Sequence, residues 1–165
     1  MTKVRAVAVA TLAGLMCVVG AAPARADITA FIGANTTPVN RQTRGFSAGA
    51  GFLIIAFEIE YADTTDDRTA REPVPSLKTG SGNVLLQTPI AFFRVQPYVT
   101  TGAGFYSETL GTRTDRGFGY NTGGGVKIAL VGPLRVRLDY RVFKLGSGAL
   151  FSPAHRVYVG LNLKF

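Results

Sequence analysis

The last eleven residues of the chain, His155 to Phe165, alternate between apolar and polar side chains. Every second residue from Val157 to Phe165 is apolar, whereas the intervening positions are polar or small. This period of two indicates a β-strand whose faces meet two different environments. The length matches the roughly 9–11 residues that a tilted strand needs to cross a bilayer. The segment is therefore predicted to be a membrane-spanning strand that ends on an aromatic residue.

Similar alternation recurs along the chain and predicts seven further strands. Beyond residue 26 the longest apolar run is Phe52 to Phe57, far shorter than the roughly 20 residues of a membrane-spanning helix. Pro89 cannot donate to a ladder, so a bulge or an early end is expected there. The predicted strands are Ile28 to Ala34, Gly45 to Phe52, Ala56 to Ala62, Gly82 to Phe92, Gln96 to Tyr106, Gly117 to Leu130, Leu134 to Phe143 and His155 to Phe165.

Long polar connections alternate with short ones between these strands. The long ones are predicted at Asn35 to Arg44, Asp63 to Ser81, Ser107 to Arg116 and Lys144 to Ala154. Long loops on one side and tight turns on the other are typical of an up-and-down barrel whose two termini share a side. The predicted fold class is all-β, an eight-stranded antiparallel up-and-down transmembrane β-barrel formed by residues 27–165. A soluble exported barrel is the alternative, and it would place the apolar faces inside.

The N-terminal segment has the features of a cleaved signal peptide. A basic start at Lys3 and Arg5 precedes the apolar stretch Ala6 to Val19, and Ala24-Arg25-Ala26 fits a cleavage site. Residues 1–26 are therefore predicted to be removed. The formal net charge of +8 is compatible with a nucleic-acid ligand. An exported protein does not meet the chromosome, however, so no nucleic-acid partner is predicted.

Charged residues inside the predicted strands share the polar face. An Arg or Lys on the lipid face near the bilayer centre costs roughly 2–4 kcal/mol, so these side chains are expected to point into the barrel. Eight strands leave an interior just wide enough for side chains, which favours an ion-paired plug over a narrow ion path. The predicted lumen charge cluster is Glu58, Glu60, Lys127, Arg135, Arg137, Asp139 and Arg141, with Glu58, Glu60, Lys127, Arg137 and Asp139 at similar depths.

Several segments resemble the small eight-stranded outer-membrane barrels of the OmpA/OmpX type: Gln96-Pro97-Tyr98-Val99, the glycine-rich Gly119 to Lys127, and Leu138-Asp139-Tyr140-Arg141. The C-terminus resembles the assembly signal of Gram-negative outer-membrane barrels. The resemblance implies a monomer in the bacterial outer membrane that contacts membrane lipids and lipopolysaccharide. It also implies recognition by the barrel-assembly machinery through Val157, Val159, Gly160, Leu161, Leu163 and Phe165.

Three functions remain open at this point. A non-enzymatic role in adhesion or envelope integrity, exerted through the loops, is favoured because function in such folds resides in loops. A narrow small-solute channel is one alternative, which single-channel conductance would reveal. A lipid-A-modifying hydrolase is the other. It would need His155, Ser152 and a carboxylate within hydrogen-bond reach, whereas Asp139 is expected to point into the lumen.

The loops are expected to hold no cofactor or metal. Asp63, Asp66 and Asp67 are interpreted as a solvated acidic loop, because a Ca²⁺ site usually needs six or more arranged oxygens. Basic residues of the loops are expected to be exposed, where they could meet lipopolysaccharide phosphates. These residues are Arg41, Arg44, Arg68 and Arg71.

Overall fold

The structure is a computed structural model that describes residues 25–67 and 73–165. Eight antiparallel strands close into one barrel in sequence order, with β8 paired to β1. This confirms the predicted fold class. The strands are β1 Arg25–Asn35, β2 Arg41–Phe52, β3 Ile55–Thr64, β4 Ser76–Gln87, β5 Val95–Leu110, β6 Arg113–Ala129, β7 Leu134–Lys144 and β8 Ala154–Lys164.

The described residues include no helix long and apolar enough to cross a membrane. The predicted leader lies almost entirely outside them. β1 begins at Arg25, two residues before the predicted mature N-terminus at Asp27. Removal of residues 1–26 stays a prediction.

The strand register fixes the tilt of the barrel. Stepping from Arg25 to its partner on each successive strand leads through Gly51, and after one full circuit the path returns to β1 at Asn35, ten residues further on. A displacement of ten residues over eight strands corresponds to a strand tilt of about 40°. Side chains four strands apart therefore face each other across a narrow lumen.

Several predicted strand ends are wrong. β4 begins at Ser76, earlier than the predicted start at Gly82. It ends at Gln87, which is the early end expected because Pro89 cannot donate a hydrogen bond to a ladder. The predicted loop Ser107 to Arg116 is mostly strand: β5 and β6 continue to Leu110 and from Arg113, joined only by Gly111 and Thr112. This hairpin has polar side chains on both faces, so the sequence shows no alternation there and predicts a loop.

The two faces of the barrel have reversed polarity compared with a soluble protein. Large apolar side chains point outward on every strand, as shown by Ile59, which is 69% exposed. Polar and charged side chains point inward and are buried, including Arg137 and Arg141, each 0% exposed. The outward face is thus apolar over its middle zone, which is the arrangement that the alternation predicts for strands in lipid.

The barrel has two different ends. At the short-turn end, brief connections join β2 to β3, β4 to β5 and β6 to β7. At the long-loop end lie the other connections, and a small apolar core crosses the lumen there. Its members come from β4, β5, β7, β8 and the β7–β8 loop: Leu77, Tyr106, Phe143, Leu145 and Ala154. This core covers the polar interior from the long-loop side.

Candidate functional site

An ionic cluster of six buried side chains fills the middle of the lumen. Three carboxylates face three guanidinium groups, so their formal charges cancel. β3 supplies two carboxylates, β7 supplies one carboxylate and two guanidinium groups, and β8 supplies the third guanidinium. The members of this ionic cluster are Glu58, Glu60, Arg137, Asp139, Arg141 and Arg156. The cluster therefore ties β3 to the opposite wall of the barrel.

All three nitrogen atoms of the Arg137 guanidinium have hydrogen-bond partners within the lumen. Its Nη1 and Nη2 atoms pair with the two oxygens of Glu58, and Nη2 also lies 3.1 Å from Oδ2 of Asp139. The Nε atom donates to the hydroxyl of Tyr98 at 2.7 Å, and the ring of Tyr98 lies 4.8 Å from Cζ. Ser47 donates to Glu58 at 3.0 Å. These charge-assisted contacts compensate for taking the charges out of water.

Arg141 extends the network from Asp139 toward Glu60. Its Nε atom lies 2.9 Å from Oδ1 of Asp139, and its Nη2 atom lies 2.9 Å from Oε1 of Glu58. Its Nη1 atom lies 3.2 Å from Oε2 of Glu60. Arg156 pairs with the other oxygen of Glu60, and its Cζ lies 4.5 Å from the ring centroid of Phe143. The ionic cluster thus reaches the apolar core at the long-loop end.

Lys127 and Arg135 form a second charged layer, closer to the short-turn end. Lys127 is buried and binds Asp27 at 2.5 Å instead of a carboxylate of the ionic cluster. Arg135 donates to Gln96 at 2.8 Å. The expectation of similar depths was therefore too simple, since Lys127 belongs to a lower layer. A cavity of about 190 Å³ at the short-turn end is lined by all four of these residues.

Three lumen residues lie outside the charge cluster predicted from the sequence. Arg156 was assigned to the polar face of the last strand but not to the charge cluster, although its parity with Tyr158 was visible. Asp27 and Tyr98 also point inward. Alternation could have shown that each of these side chains faces the lumen. Their partners lie on distant strands, so only the closed register could pair them.

Arg41 corrects another expectation, because it is buried at the long-loop end and not exposed. Its guanidinium donates to the carbonyl of Pro75 and to that of Thr37 at 2.9 Å. Burial lowers the pKa of Arg41, and the nearby Glu108 carboxylate opposes that shift. Glu108 accepts a hydrogen bond from the Leu150 backbone N–H at 2.9 Å. Arg41 therefore fastens loops together, and Arg68 and Arg71 lie outside the described residues.

The residues of the hydrolase hypothesis are not brought together. Nδ1 of His155 lies 2.7 Å from the Tyr140 hydroxyl on the outer face of the barrel. Ser152 Oγ accepts from the Leu145 N–H at 3.0 Å and donates to the Leu145 carbonyl at 3.3 Å, which fastens the β7–β8 loop. Asp139 lies in the lumen. His155 and Ser152 thus have separate structural partners, and a nucleophile–base pair is not formed between them.

Comparisons with known proteins find similarity in structure only. No family model matches the chain, and no curated protein matches it. The N-terminal β-barrel domain of Pseudomonas aeruginosa OprF superposes with a TM-score of 0.63 at 14% identity, over 86% of this chain and 97% of that domain. Neisserial surface protein A superposes with a TM-score of 0.61 at 15% identity, over 86% of this chain and 94% of that protein.

A third solved structure agrees with these two. Ail of Yersinia pestis, solved in complex with the heparin analogue sucrose octasulfate, superposes with a TM-score of 0.58 at 9% identity, over 87% of this chain and 100% of Ail. The fold is that of the small eight-stranded outer-membrane β-barrels. The predicted resemblance to the OmpA/OmpX type is confirmed at the level of fold. Identities of this size support no transfer of function.

The outer surface of this outer-membrane barrel fold carries a row with four charged side chains above a row with four aromatic side chains. The upper row consists of one outward residue from each of the strands β2 to β6, and each is the pairing partner of the next. The lower row consists of the outward residues that lie two positions along the same strands toward the short-turn end. The upper row is Arg44, Asp63, Lys78, Ser107 and Arg116, and the lower row is Phe46, Tyr61, Gly80, Phe105 and Phe118. Because the strands are tilted, both rows rise toward the long-loop end from β2 to β6, so the charge lies above the aromatic side chain on each strand and not at one height for all of them. Aromatic residues next to charges are typical of the interface between lipid and water in membrane barrels.

Proposed function

We propose that the protein is a monomeric, non-enzymatic barrel of the bacterial outer membrane that binds extended polypeptide segments at the cell surface. The apolar outer face and the barrel fold support the membrane location. The neutral ionic cluster and the apolar core above it support a sealed lumen over a conducting one. The observation that carries the binding role is a free strand edge on the β5–β6 hairpin.

The β5–β6 hairpin continues beyond the rest of the barrel wall. β6 pairs with β5 up to Arg113, but its pairing with β7 begins only at Tyr120. Gly146 of the β7–β8 loop comes close to the Phe118 carbonyl, but among the described residues no backbone hydrogen bond joins this loop to β6. In the described part of the chain, the edge of β6 from Arg113 to Gly117 is therefore unpaired by any strand.

This free edge has the features of a site for an added strand. The hairpin is closed by Leu110 and Arg113 around two residues, so the backbone groups of Thr114 and Arg116 point away from β5. Unpaired N–H and C=O groups on an exposed edge recruit an extended chain by main-chain hydrogen bonds. The side chains of Arg113 and Arg116 are exposed and favour an acidic partner.

Lipopolysaccharide is the second proposed partner. The cations Arg44, Lys78, Arg116 and Lys144 point outward at the long-loop end of their strands and are exposed. Lys and Arg at this level can pair with the phosphates of the outer leaflet. We propose that these contacts anchor the barrel laterally and leave the hairpin above the lipid surface.

Thr114→Pro tests the binding role, because it removes one N–H from the free edge and leaves the β5 ladder intact. We expect the protein in nanodiscs to bind immobilised acidic, extended peptides more tightly than neutral ones, and Thr114→Pro to weaken this binding about tenfold or more, equivalent to about 1.4 kcal/mol. Surface plasmon resonance would measure it. Thr114→Val retains the N–H and is the matched control. Equal binding by both variants would exclude edge pairing.

Deleting Phe165 tests the proposed location and the proposed assembly signal together. The Phe165 side chain is exposed at the short-turn end, where it continues the outward apolar face of β8. We expect the intact protein in the outer-membrane fraction, with a band that shifts on boiling, and loss of the folded band after deletion. The control is Lys164→Ala. An intact protein that fractionates with the soluble periplasm would contradict the membrane location.

A further inference from the structure

The three connections at the short-turn end expose apolar side chains. Turns that meet water favour Gly, Asn, Asp and Ser. Here Phe93 is 92% exposed and Val131 is 81% exposed. The apolar turn patch is defined as Leu53, Ile54, Ile90, Phe92, Phe93 and Val131.

The backbone of these turns suits other residues better. Phe92 and Val95 exchange two backbone hydrogen bonds of 2.8 Å around Phe93 and Arg94, whose φ angles are 47° and 70°. Positive φ at both central residues is the type I′ pattern, for which Asn-Gly is strongly preferred. In the β2–β3 turn Leu53 has a φ of 52°. A phenylalanine or leucine in the left-handed region is sterically disfavoured.

The β5–β6 hairpin at the other end provides an internal comparison. It also has a two-residue turn with positive φ at its first central position, and there the residue is Gly111, with a φ of 61°. Thr112 completes that turn. At the short-turn end glycine also takes a positive φ in the β6–β7 turn, where Gly132 has a φ of 56°, but the β2–β3 turn has Leu53 and the β4–β5 turn has Phe93 at such a position. Two of the three short turns thus keep a large apolar side chain where glycine would fit, which indicates an environment that favours apolar side chains.

Hydrogen bonds link the three apolar turns. The Gln87 N–H at the end of β4 donates to the Ile54 carbonyl in the β2–β3 turn at 2.8 Å. The Ala129 N–H donates to the Arg94 carbonyl at 2.8 Å, and the Arg94 guanidinium donates to the Leu130 carbonyl. These bonds fasten the β4–β5 turn to the β6–β7 turn. The rings of Phe92 and Phe93 lie edge to face with centroids 5.8 Å apart. The apolar turn patch is thus a defined surface that continues the outward apolar face of the strands.

We propose that the apolar turn patch inserts into the inner leaflet of the outer membrane and is covered by phospholipid. On β3 the outward apolar residues run from Ile55 to Tyr61, seven residues. At about 3.4 Å per residue and a tilt of about 40°, these cover roughly 18 Å, against an apolar band of about 25 Å in such barrels. On β8 the outward apolar residues run from Val157 to Phe165, and these nine residues cover roughly 23 Å by the same measure. The turn residues extend the shorter apolar face of β3 to a similar height. This inference rests on the proposed membrane location.

The chain contains no tryptophan, so a single introduced tryptophan reports on its own position and can test the inference. The variants are Phe93→Trp in the patch, Phe57→Trp in the outward band and Thr112→Trp in the water-facing hairpin. Each is folded into phosphatidylethanolamine and phosphatidylglycerol vesicles, with and without brominated acyl chains. We expect bromine to quench Phe93→Trp and Phe57→Trp, and acrylamide to quench Thr112→Trp.

The controls separate two kinds of failure. If Phe93→Trp behaves like Thr112→Trp while bromine quenches Phe57→Trp, the barrel is in the membrane but the turns are in the periplasm, and the inference is wrong. If acrylamide quenches Phe57→Trp as well, the membrane location itself is wrong and the inference fails with it.

A second measurement uses the sign of a stability change. Phe93→Asn and Leu53→Gly give each backbone a residue that suits positive φ. Both would raise the urea midpoint of unfolding if the turns faced water. We expect both to lower it in vesicles, because the lost lipid contact outweighs the relief of the backbone. A raised midpoint for both variants would overturn the inference. Thr112→Asn serves as the control, with an unchanged midpoint.

Discussion

Replacing Arg137 with methionine is expected to destabilise the folded barrel by about 3–5 kcal/mol, the usual cost of leaving a buried charge without its partner. The substitution removes one of the two cations that pair with Glu58 and Asp139, the other being Arg141, and leaves the ionic cluster with an excess negative charge. Both carboxylates lie in the lumen with almost no access to water. Methionine approximates the length of the lost side chain, so the effect reports charge more than volume. Urea unfolding in lipid vesicles would measure the free energy.

A compensating substitution distinguishes charge from packing. The double variant Arg137→Met, Glu58→Gln removes one charge of each sign and restores neutrality to the ionic cluster. We expect it to recover a substantial part of the lost stability, because replacing both partners of a buried ion pair costs less than removing one. Lys144→Met removes an exposed outer cation and is the control, with a change below about 0.5 kcal/mol. No recovery in the double variant would show that packing dominates.

Introducing arginine at Ile59 is expected to cost roughly 2–4 kcal/mol, because that position lies on the outward face near the middle of the apolar band. In a soluble barrel the same substitution would be nearly neutral, since Ile59 is already 69% exposed. Heat-modifiable mobility and urea unfolding in vesicles give the result.

The matched control for Ile59→Arg is Thr112→Arg, at the tip of the β5–β6 hairpin. Both substitutions add one arginine to an exposed strand or turn position, so they differ mainly in what lies outside. If the two variants are equally stable, the outer face is in water and the soluble-barrel alternative is correct. Such a result would also remove the basis for placing lipid around the short turns.

Alternation along the strands was sufficient to predict the barrel and the direction of most side chains. Glu58 and Arg137 are buried, and the alternation places both on the inward face because the opposite face of each strand is apolar. Strand ends depend on pairing instead. The hairpin at Ser107 to Arg116 has polar residues on both faces, so no alternation distinguishes it from a loop. Pro89, in contrast, stopped β4 for a reason that the sequence states directly.

The composition of the lumen could be predicted better than its pairing. Alternation gives the face of each residue, but the partner of each charge depends on the displacement of ten residues around the barrel. Lys127 was grouped with Glu58 on parity and depth, yet it binds Asp27. Arg156, on the last strand, supplies the third positive charge that makes the ionic cluster neutral. Contacts across the lumen can be assigned only when the pairing register of all eight strands is known.

The charges of the ionic cluster are balanced only when the last two strands join the barrel. The carboxylates of Glu58 and Glu60 belong to the third strand, whereas their guanidinium partners belong to the last two. A nascent sheet of the first six strands would carry these acids without a cation from the cluster. Burial of that sheet in lipid is therefore unfavourable until the chain's C-terminal hairpin arrives. Closure and loss of exposed charge become a single cooperative step, which disfavours partly closed forms in the membrane.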